Sequence, residues 1–205
     1  IKEYNPNMKI IEGSEGIELL EMGGDEHENH EEENGHTEHE EDKDPHIWMS
    51  PKNAIKIVEN LVEGLIELDS ENEDFYRENA EDYINKIRDL HTKLEEQLKD
   101  HDGEKFLVFH PSFGYLADEY NLTQVPIQEG GKEPGTKELQ NIIDQANDEN
   151  ISAIFVSPQF DKNNAATIAE EINGEVVSIN PLAENYIENI RIISEKLITG
   201  LKKEV

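Results

Sequence analysis

The side chains best suited to chemistry in this chain are histidines, and they fall into two groups. His46 lies in the segment Asp-Pro-His-Ile-Trp-Met-Ser-Pro, and His110 follows the apolar run Phe-Leu-Val-Phe. The other group lies within a block of acidic residues and consists of His27, His30, His36 and His39. Imidazole nitrogen and carboxylate oxygen are the ligands of zinc and related divalent ions where thiolates are absent, and the chain has no cysteine. The chemistry these residues predict is therefore metal binding.

Catalytic motifs do not accompany these histidines. The metalloprotease spacing H-E-x-x-H and the serine-hydrolase motif G-x-S-x-G are absent, and Gly130-Gly131 does not continue into a phosphate-binding loop. A metal-dependent enzyme would need a general base beside the metal, and the nearest loop carboxylates are Glu129 and Glu133. The sequence therefore favours a binding protein over an enzyme.

Polar residues followed by proline end three of the four predicted strands, as His110-Pro111, Ser157-Pro158 and Asn180-Pro181. Proline pushes the preceding residue towards extended backbone, and ligands of open α/β sheets bind beyond the carboxyl ends of the strands. We expect these side chains to face one crevice, with His110 as a metal ligand. Ordinary strand termination stays an equal alternative for Ser157 and Asn180.

The elements that must position these residues follow from apolar periodicity. Ser50 is a predicted N-cap for a helix from Pro51, and a second helix runs from Glu71 to about Lys99, more than 40 Å at about 1.5 Å per residue. After His101, strands alternate with helices, which predicts an α/β fold with a four-stranded parallel sheet flanked by helices. The predicted strands are Phe106–Phe109, Leu122–Ile127, Ala153–Val156 and Val176–Ile179, and the helices are Ser112–Tyr120, Lys137–Asn147, Asn163–Ile172 and Ala183–Leu201.

The segment before Ser50 carries few apolar residues. Met8–Ile11 is predicted to be a strand and Ile17–Leu20 a brief turn of helix. Residues 25–44 contain eleven acids, one lysine, four histidines and no apolar residue, so we expect a disordered loop.

The charge of the chain limits its partners. Of its 205 residues, 48 are acidic and 18 basic, a net charge of −30, which disfavours nucleic acid and anionic membrane surfaces and favours cations. No apolar run approaches the roughly 20 residues of a membrane span. The chain begins at Ile1 rather than Met, so we expect that an N-terminal portion was removed or not included.

Several segments in this order resemble the zinc-uptake ABC-transporter solute-binding proteins, a metal-binding cluster that includes manganese receptors. They are "NPNMKIIEGSEGIELL", the His-rich acidic loop, "DPHIWMSPKNA", "FYRENAEDYINKI", "FLVFHPSFGYLADEYNL", "IFVSPQF" and "SINPL". The resemblance covers nearly the whole chain, "DPHIWMSP" and "FHPSFGYLADEYNL" are its most specific parts, and the His-rich loop points to the zinc branch.

The resemblance implies two α/β lobes joined by one rigid helix, with the metal held between them. Residues 1–70 would form an incomplete N-terminal lobe that includes loop 25–44, residues 71–101 the connecting helix, and residues 102–205 the C-terminal lobe. His46 would be a ligand from the first lobe and His110 from the second. A further histidine ligand would precede this chain. Asn180 stands where relatives often carry a ligating Asp, so it is the weakest candidate beside His46 and His110. Ser157 stands where relatives carry Glu.

These expectations add up to an extracytoplasmic receptor, monomeric and membrane-anchored through its N-terminus, that passes Zn²⁺ to the permease of an ABC importer. A manganese receptor and a metal-dependent adhesin or interaction protein on the same fold are the alternatives. The four loop histidines would form weak, exchangeable zinc sites, against the alternative of a solvated acidic loop. Metal affinity should fall as the pH drops through about 6.5, because neutral imidazole is the ligand.

Overall fold

The structure is a computed structural model that describes residues 4, 5, 7–22, 43–128, 132 and 134–201, with the side chains of 162–164 left out. Loop residues 25–42, and with them all four loop histidines, lie outside the described residues, as do Glu129 and Glu133. None of the helices described is long and apolar enough to cross a membrane.

Two helices, α1 and α2, open the regular part of the fold. α1 spans Pro51–Leu68, and the Ser50 side chain caps it by accepting a hydrogen bond of 3.0 Å from the Asn53 backbone N–H, as predicted. α2 spans Glu73–Leu98, 26 residues or about 39 Å, so the predicted 40 Å is exceeded only with the 3₁₀ turns Ser70–Asn72 and Lys99–His101 that flank it. The long helix is confirmed.

The remaining chain forms the predicted four-stranded parallel sheet, in the order β2-β1-β3-β4. The strands are β1 (Lys105–Val108), β2 (Thr123–Pro126), β3 (Ala153–Val156) and β4 (Glu175–Ser178). The helices that follow them are α3 (Gly114–Glu119), α4 (Thr136–Asp148), α5 (Lys162–Glu171) and α6 (Tyr186–Leu201). The α/β fold class is confirmed, β3 has the predicted bounds, and no other bound shifts by more than three residues.

Both faces of the sheet are covered, because alternate strand residues point to opposite sides. Phe106, Val108 and Phe155 pack on one side with apolar residues of α2, α3 and α6. Leu107 and Ile154 pack on the other side with apolar residues of α4 and α5. The strands are therefore apolar on both faces, which explains their short continuous apolar runs.

The two elements predicted near the N-terminus are wrong. Residues 8–11 form no strand and residues 17–20 no helix in the described segment 7–22. This segment lies instead as irregular chain along α1, where the Asn60 side-chain amide donates to the carbonyls of Gly13 and Glu15 at 2.9 Å each. The side chain of Ile11 lies so close to Gly64 that a Cβ there would stand 2.6 Å from it. Contact with α1 has replaced local secondary structure.

The end of the predicted disordered loop also needs correction. Lys43 pairs with Glu21 in an isolated antiparallel bridge, and Asp44 is only 1 % exposed. The Asp44 backbone N–H donates to the Leu20 carbonyl at 2.8 Å. Lys43 and Asp44 therefore belong to the ordered fold, because the Asp44 side chain is buried in a way that composition alone did not reveal.

Candidate metal centre

His46 is held by a buried carboxylate two residues before it. Asp44 Oδ1 lies 2.6 Å from His46 Nδ1 and accepts the His46 backbone N–H at 2.8 Å. The His46 side chain is 12 % exposed, and the 3₁₀ turn Ile47–Met49 follows it directly. A carboxylate on Nδ1 keeps the proton on that nitrogen and leaves Nε2 as the ring nitrogen able to bind a metal.

His110 stands just beyond the carboxyl end of β1, a central strand of the sheet. Its Nδ1 is buried without a hydrogen-bond partner among the described residues, and so is Gln128 Oε1. Burial lowers the pKa of His110, the nearby His46 imidazole lowers it further, and Gln128 and Asp44 oppose these effects. The fold thus favours neutral His110, the form that binds metal, with Nε2 as its available nitrogen.

The two imidazoles lie side by side in an edge-to-face arrangement. Their ring centroids lie 5.5 Å apart with the planes inclined at 78°. Imidazoles that share one tetrahedral zinc ion through Nε2, with Zn–N bonds of about 2.1 Å, would have centroids roughly 5 Å apart. The observed centroid separation is close to that of a pair sharing one zinc ion, although the two histidines are 64 positions apart in sequence.

Aromatic side chains pack against both imidazoles of the His46–His110 pair. Phe160 stacks on His110 at a centroid distance of 4.9 Å, and Trp48 meets His46 edge-on at 5.5 Å. The Trp48 indole N–H donates to the Pro181 carbonyl at 3.0 Å, which ties the His46 segment to the chain after β4. Apolar walls reduce solvent access and strengthen polar interactions at the ligand atoms.

The other predicted strand-end residues are engaged elsewhere. Asn180 Oδ1 accepts hydrogen bonds from Gln159 Nε2 at 3.1 Å and from the Leu182 N–H at 3.0 Å. Ser157 is buried, and its carbonyl accepts the Phe160 N–H at 3.0 Å. Asn180 would have to give up these bonds to ligate a metal, and its ligand role stays a prediction.

Sequence reasoning missed Asp44, Gln128 and Phe160. Asp44 could have been found from its place two residues before a candidate ligand, since ligating histidines commonly give their second ring nitrogen to a carboxylate. Nothing in the sequence placed Gln128 or Phe160 near His110. Across the described part of the chain, no group of three or more His, Asp or Glu side chains is arranged to hold a metal ion.

The four-stranded parallel sheet, the long helix α2 and two imidazoles 5.5 Å apart agree with what the comparisons with known proteins find. The family model described as "Zinc-uptake complex component A periplasmic" (ZnuA) matches residues 1–200, and the chain belongs to this family.

Individual relatives agree with this assignment. The chain is 34 % identical over 175 residues to the high-affinity zinc uptake system protein ZnuA of Bacillus subtilis (strain 168), covering 84 % of this chain and 54 % of that protein. A crystal structure of ZnuA superposes with a TM-score of 0.87 at 33 % identity, covering 98 % of this chain and 74 % of that one. The laminin-binding protein Lbp of Streptococcus pyogenes superposes with a TM-score of 0.71 at 28 % identity, covering 78 % and 65 %. The chain thus spans about half the length of its curated Bacillus relative.

Proposed function

We propose that this protein is an extracytoplasmic receptor that captures Zn²⁺ between His46 and His110 and delivers it to the permease of an ABC importer. It binds and releases the ion and catalyses no reaction. The single observation that carries the proposal is the 5.5 Å separation of the two imidazole centroids. Membership of a family described as the periplasmic component of zinc uptake supports the substrate, the partner and the location.

The ligand chemistry supports zinc over manganese. Both facing side chains are imidazoles, and imidazole suits zinc, whereas manganese prefers carboxylate, carbonyl and water oxygen. The Asp44 carboxylate acts through His46 Nδ1 rather than from the open side of the pair. Two histidines leave further coordination positions to be filled from outside the pair, by water or by another side chain.

Removal of one imidazole tests the proposal. At natural full length, we expect His110→Ala to weaken zinc binding by more than about 100-fold, because even the outer partners of metal ligands contribute about 10- to 100-fold. Competition titration with a chelating dye measures the change. His101→Ala is the matched control, since that imidazole pairs with Glu104 (2.9 Å) on the 3₁₀ turn after α2. Tight zinc binding by His110→Ala would refute the proposal.

An adhesin is the second candidate, favoured by the likeness to a laminin-binding protein. The two functions separate on deletion of the gene. Loss of growth under zinc limitation with unchanged attachment supports transport, and lost attachment with normal growth supports adhesion.

A further inference from the structure

Two side chains on one face of the short helix α3 form hydrogen bonds with the segment that carries His46. Tyr115 and Glu119 stand four residues apart on α3, so they share a face of the helix. The Tyr115 hydroxyl donates to the Asp44 carbonyl at 2.8 Å and accepts the Leu20 N–H at 3.1 Å. This contact fixes the chain two residues before His46.

Glu119 fixes the same segment on the other side of His46. Its Oε2 accepts a hydrogen bond from the Ser50 hydroxyl and lies 3.3 Å from the Lys52 backbone nitrogen, which donates to it. The Glu119 side chain is 4 % exposed, and His91 Nδ1 of α2 lies 2.9 Å from its other oxygen. A buried carboxylate in this position is costly unless partners satisfy it, so the contact with Ser50 and Lys52 is a strong constraint.

The same helix is joined closely to His110. α3 begins four residues after His110, and the link between them is fixed by two hydrogen bonds: Ser112 N–H to the His110 carbonyl at 2.8 Å, and Phe113 N–H to Gln124 Oε1 at 3.0 Å. Met49, fully buried between the two anchor points, packs in the same apolar cluster as Leu116 and Ala117 of α3. One rigid element therefore contacts both ligand-bearing segments.

We propose that Tyr115 and Glu119 are positioning residues for the metal site: they hold residues 44–52 against α3 and thereby set the separation of the two imidazoles before metal arrives. Neither touches the metal. The inference rests on the proposed function, because it assigns the two residues a role in zinc affinity. A purely structural role, as a cap and a packing contact, would alter stability alone.

The test compares Tyr115→Phe and Glu119→Ala with a destabilised control, each at natural full length. Ile172→Val is the control, because Ile172 is buried beside Gly174 and Ser152, at the end of the sheet opposite His110. Dye competition measures the zinc Kd, visible absorption of the Co²⁺-loaded protein reports ligand geometry, and thermal unfolding without metal reports stability. Tyr115→Phe makes the test independent of whether Glu119→Ala folds.

We expect the zinc Kd to rise about 3- to 10-fold in each α3 variant, less than the roughly 10- to 100-fold typical of groups that touch a ligand directly. The Co²⁺ bands should shift or weaken in both, while Ile172→Val changes only the unfolding temperature. An unchanged Kd and Co²⁺ spectrum in Tyr115→Phe, beside a wild type that binds zinc, would overturn this inference alone. A wild type that binds no zinc would overturn the proposed function as well.

Discussion

At the scale of single residues, the two histidines differ in what supports them. His46 Nδ1 faces a charged carboxylate at 2.6 Å, whereas His110 Nδ1 is buried near the neutral amide oxygen of Gln128. A carboxylate partner makes an imidazole a stronger donor to a metal, and burial makes an imidazole resist protonation. In the proposed site, the pair would combine one ligand strengthened by a carboxylate with one whose neutral form is favoured by burial.

Loss of the Asp44 charge should weaken metal binding without removing a ligand. We expect Asp44→Asn to raise the zinc Kd by about 10- to 100-fold, because His46 loses the carboxylate that fixes its tautomer and its ring orientation. Isothermal calorimetry measures the Kd. Asp118→Asn, an exposed position on α3, is the control and should leave binding unchanged. Equal Kd values for Asp44→Asn and wild type would show that the contact does not tune the ligand.

Protonation of His110 should also contribute to the pH dependence of stability. Its pKa is lowered in the fold, chiefly by burial, so below the unfolded value of about 6.5 the unfolded chain binds more protons than the folded one. The stability that neutral His110 contributes is present above that pH and is lost as the pH falls. Between pH 7 and pH 5, the free energy of unfolding of metal-free protein, measured in urea, should therefore fall less in His110→Gln than in wild type. An identical dependence of the free energy of unfolding on pH in the two proteins would contradict this account.

At the scale of elements, α3 depends on a glycine at its first residue. A Cβ on Gly114 would stand 2.8 Å from Asp44 Oδ2 and 3.2 Å from Gln124 Nε2. The close approach of α3 to the carboxylate that orients His46 is possible because Gly114 has no side chain. Helix and ligand segment are therefore packed against each other through this one position.

A methyl group at Gly114 should disturb both stability and the site. We expect Gly114→Ala to lower the free energy of unfolding by about 1–3 kcal/mol, as overpacking does, and to weaken zinc binding by displacing Asp44. Urea unfolding and dye competition measure the two effects. Gly135→Ala offers a comparison, since its Cβ would meet Glu138 Oε2 at an ordinary 3.4 Å. If Gly114→Ala is as stable as the wild type and binds zinc as tightly, α3 can move away from Asp44 at little cost.

At the scale of the whole molecule, net charge gives the protein a general attraction for cations. A charge of −30 raises the local concentration of divalent ions, whereas the proposed tight site depends on the histidine pair, whose ring centroids lie 5.5 Å apart. Loop residues 25–42 add four histidines and many acids to that charge. Weak zinc sites in the loop would then complement one tight site.

Deletion of residues 25–42 separates these contributions. We expect calorimetry to show fewer zinc ions bound in total, with the weak sites removed and the tight site retained, because the deletion stops short of Lys43 and Asp44. A variant with His27, His30, His36 and His39 all replaced by Gln tests whether imidazoles rather than acids bind the weakly held zinc. An unchanged stoichiometry after deletion would show that the loop stores no metal.

The sequence by itself determined the α/β order and the long helix, and it singled out the two histidines as candidate ligands, because apolar periodicity and strand-end prolines are local signals. It did not determine the irregular course of residues 7–22, which depends on contact with α1 rather than on local propensity. Only the tertiary structure buried Asp44 beneath His46, placed Gln128 and Phe160 beside His110 and brought His46 to His110. The contacts around His110 join residues distant along the chain, and their energies depend on burial and distance, which no local pattern encodes.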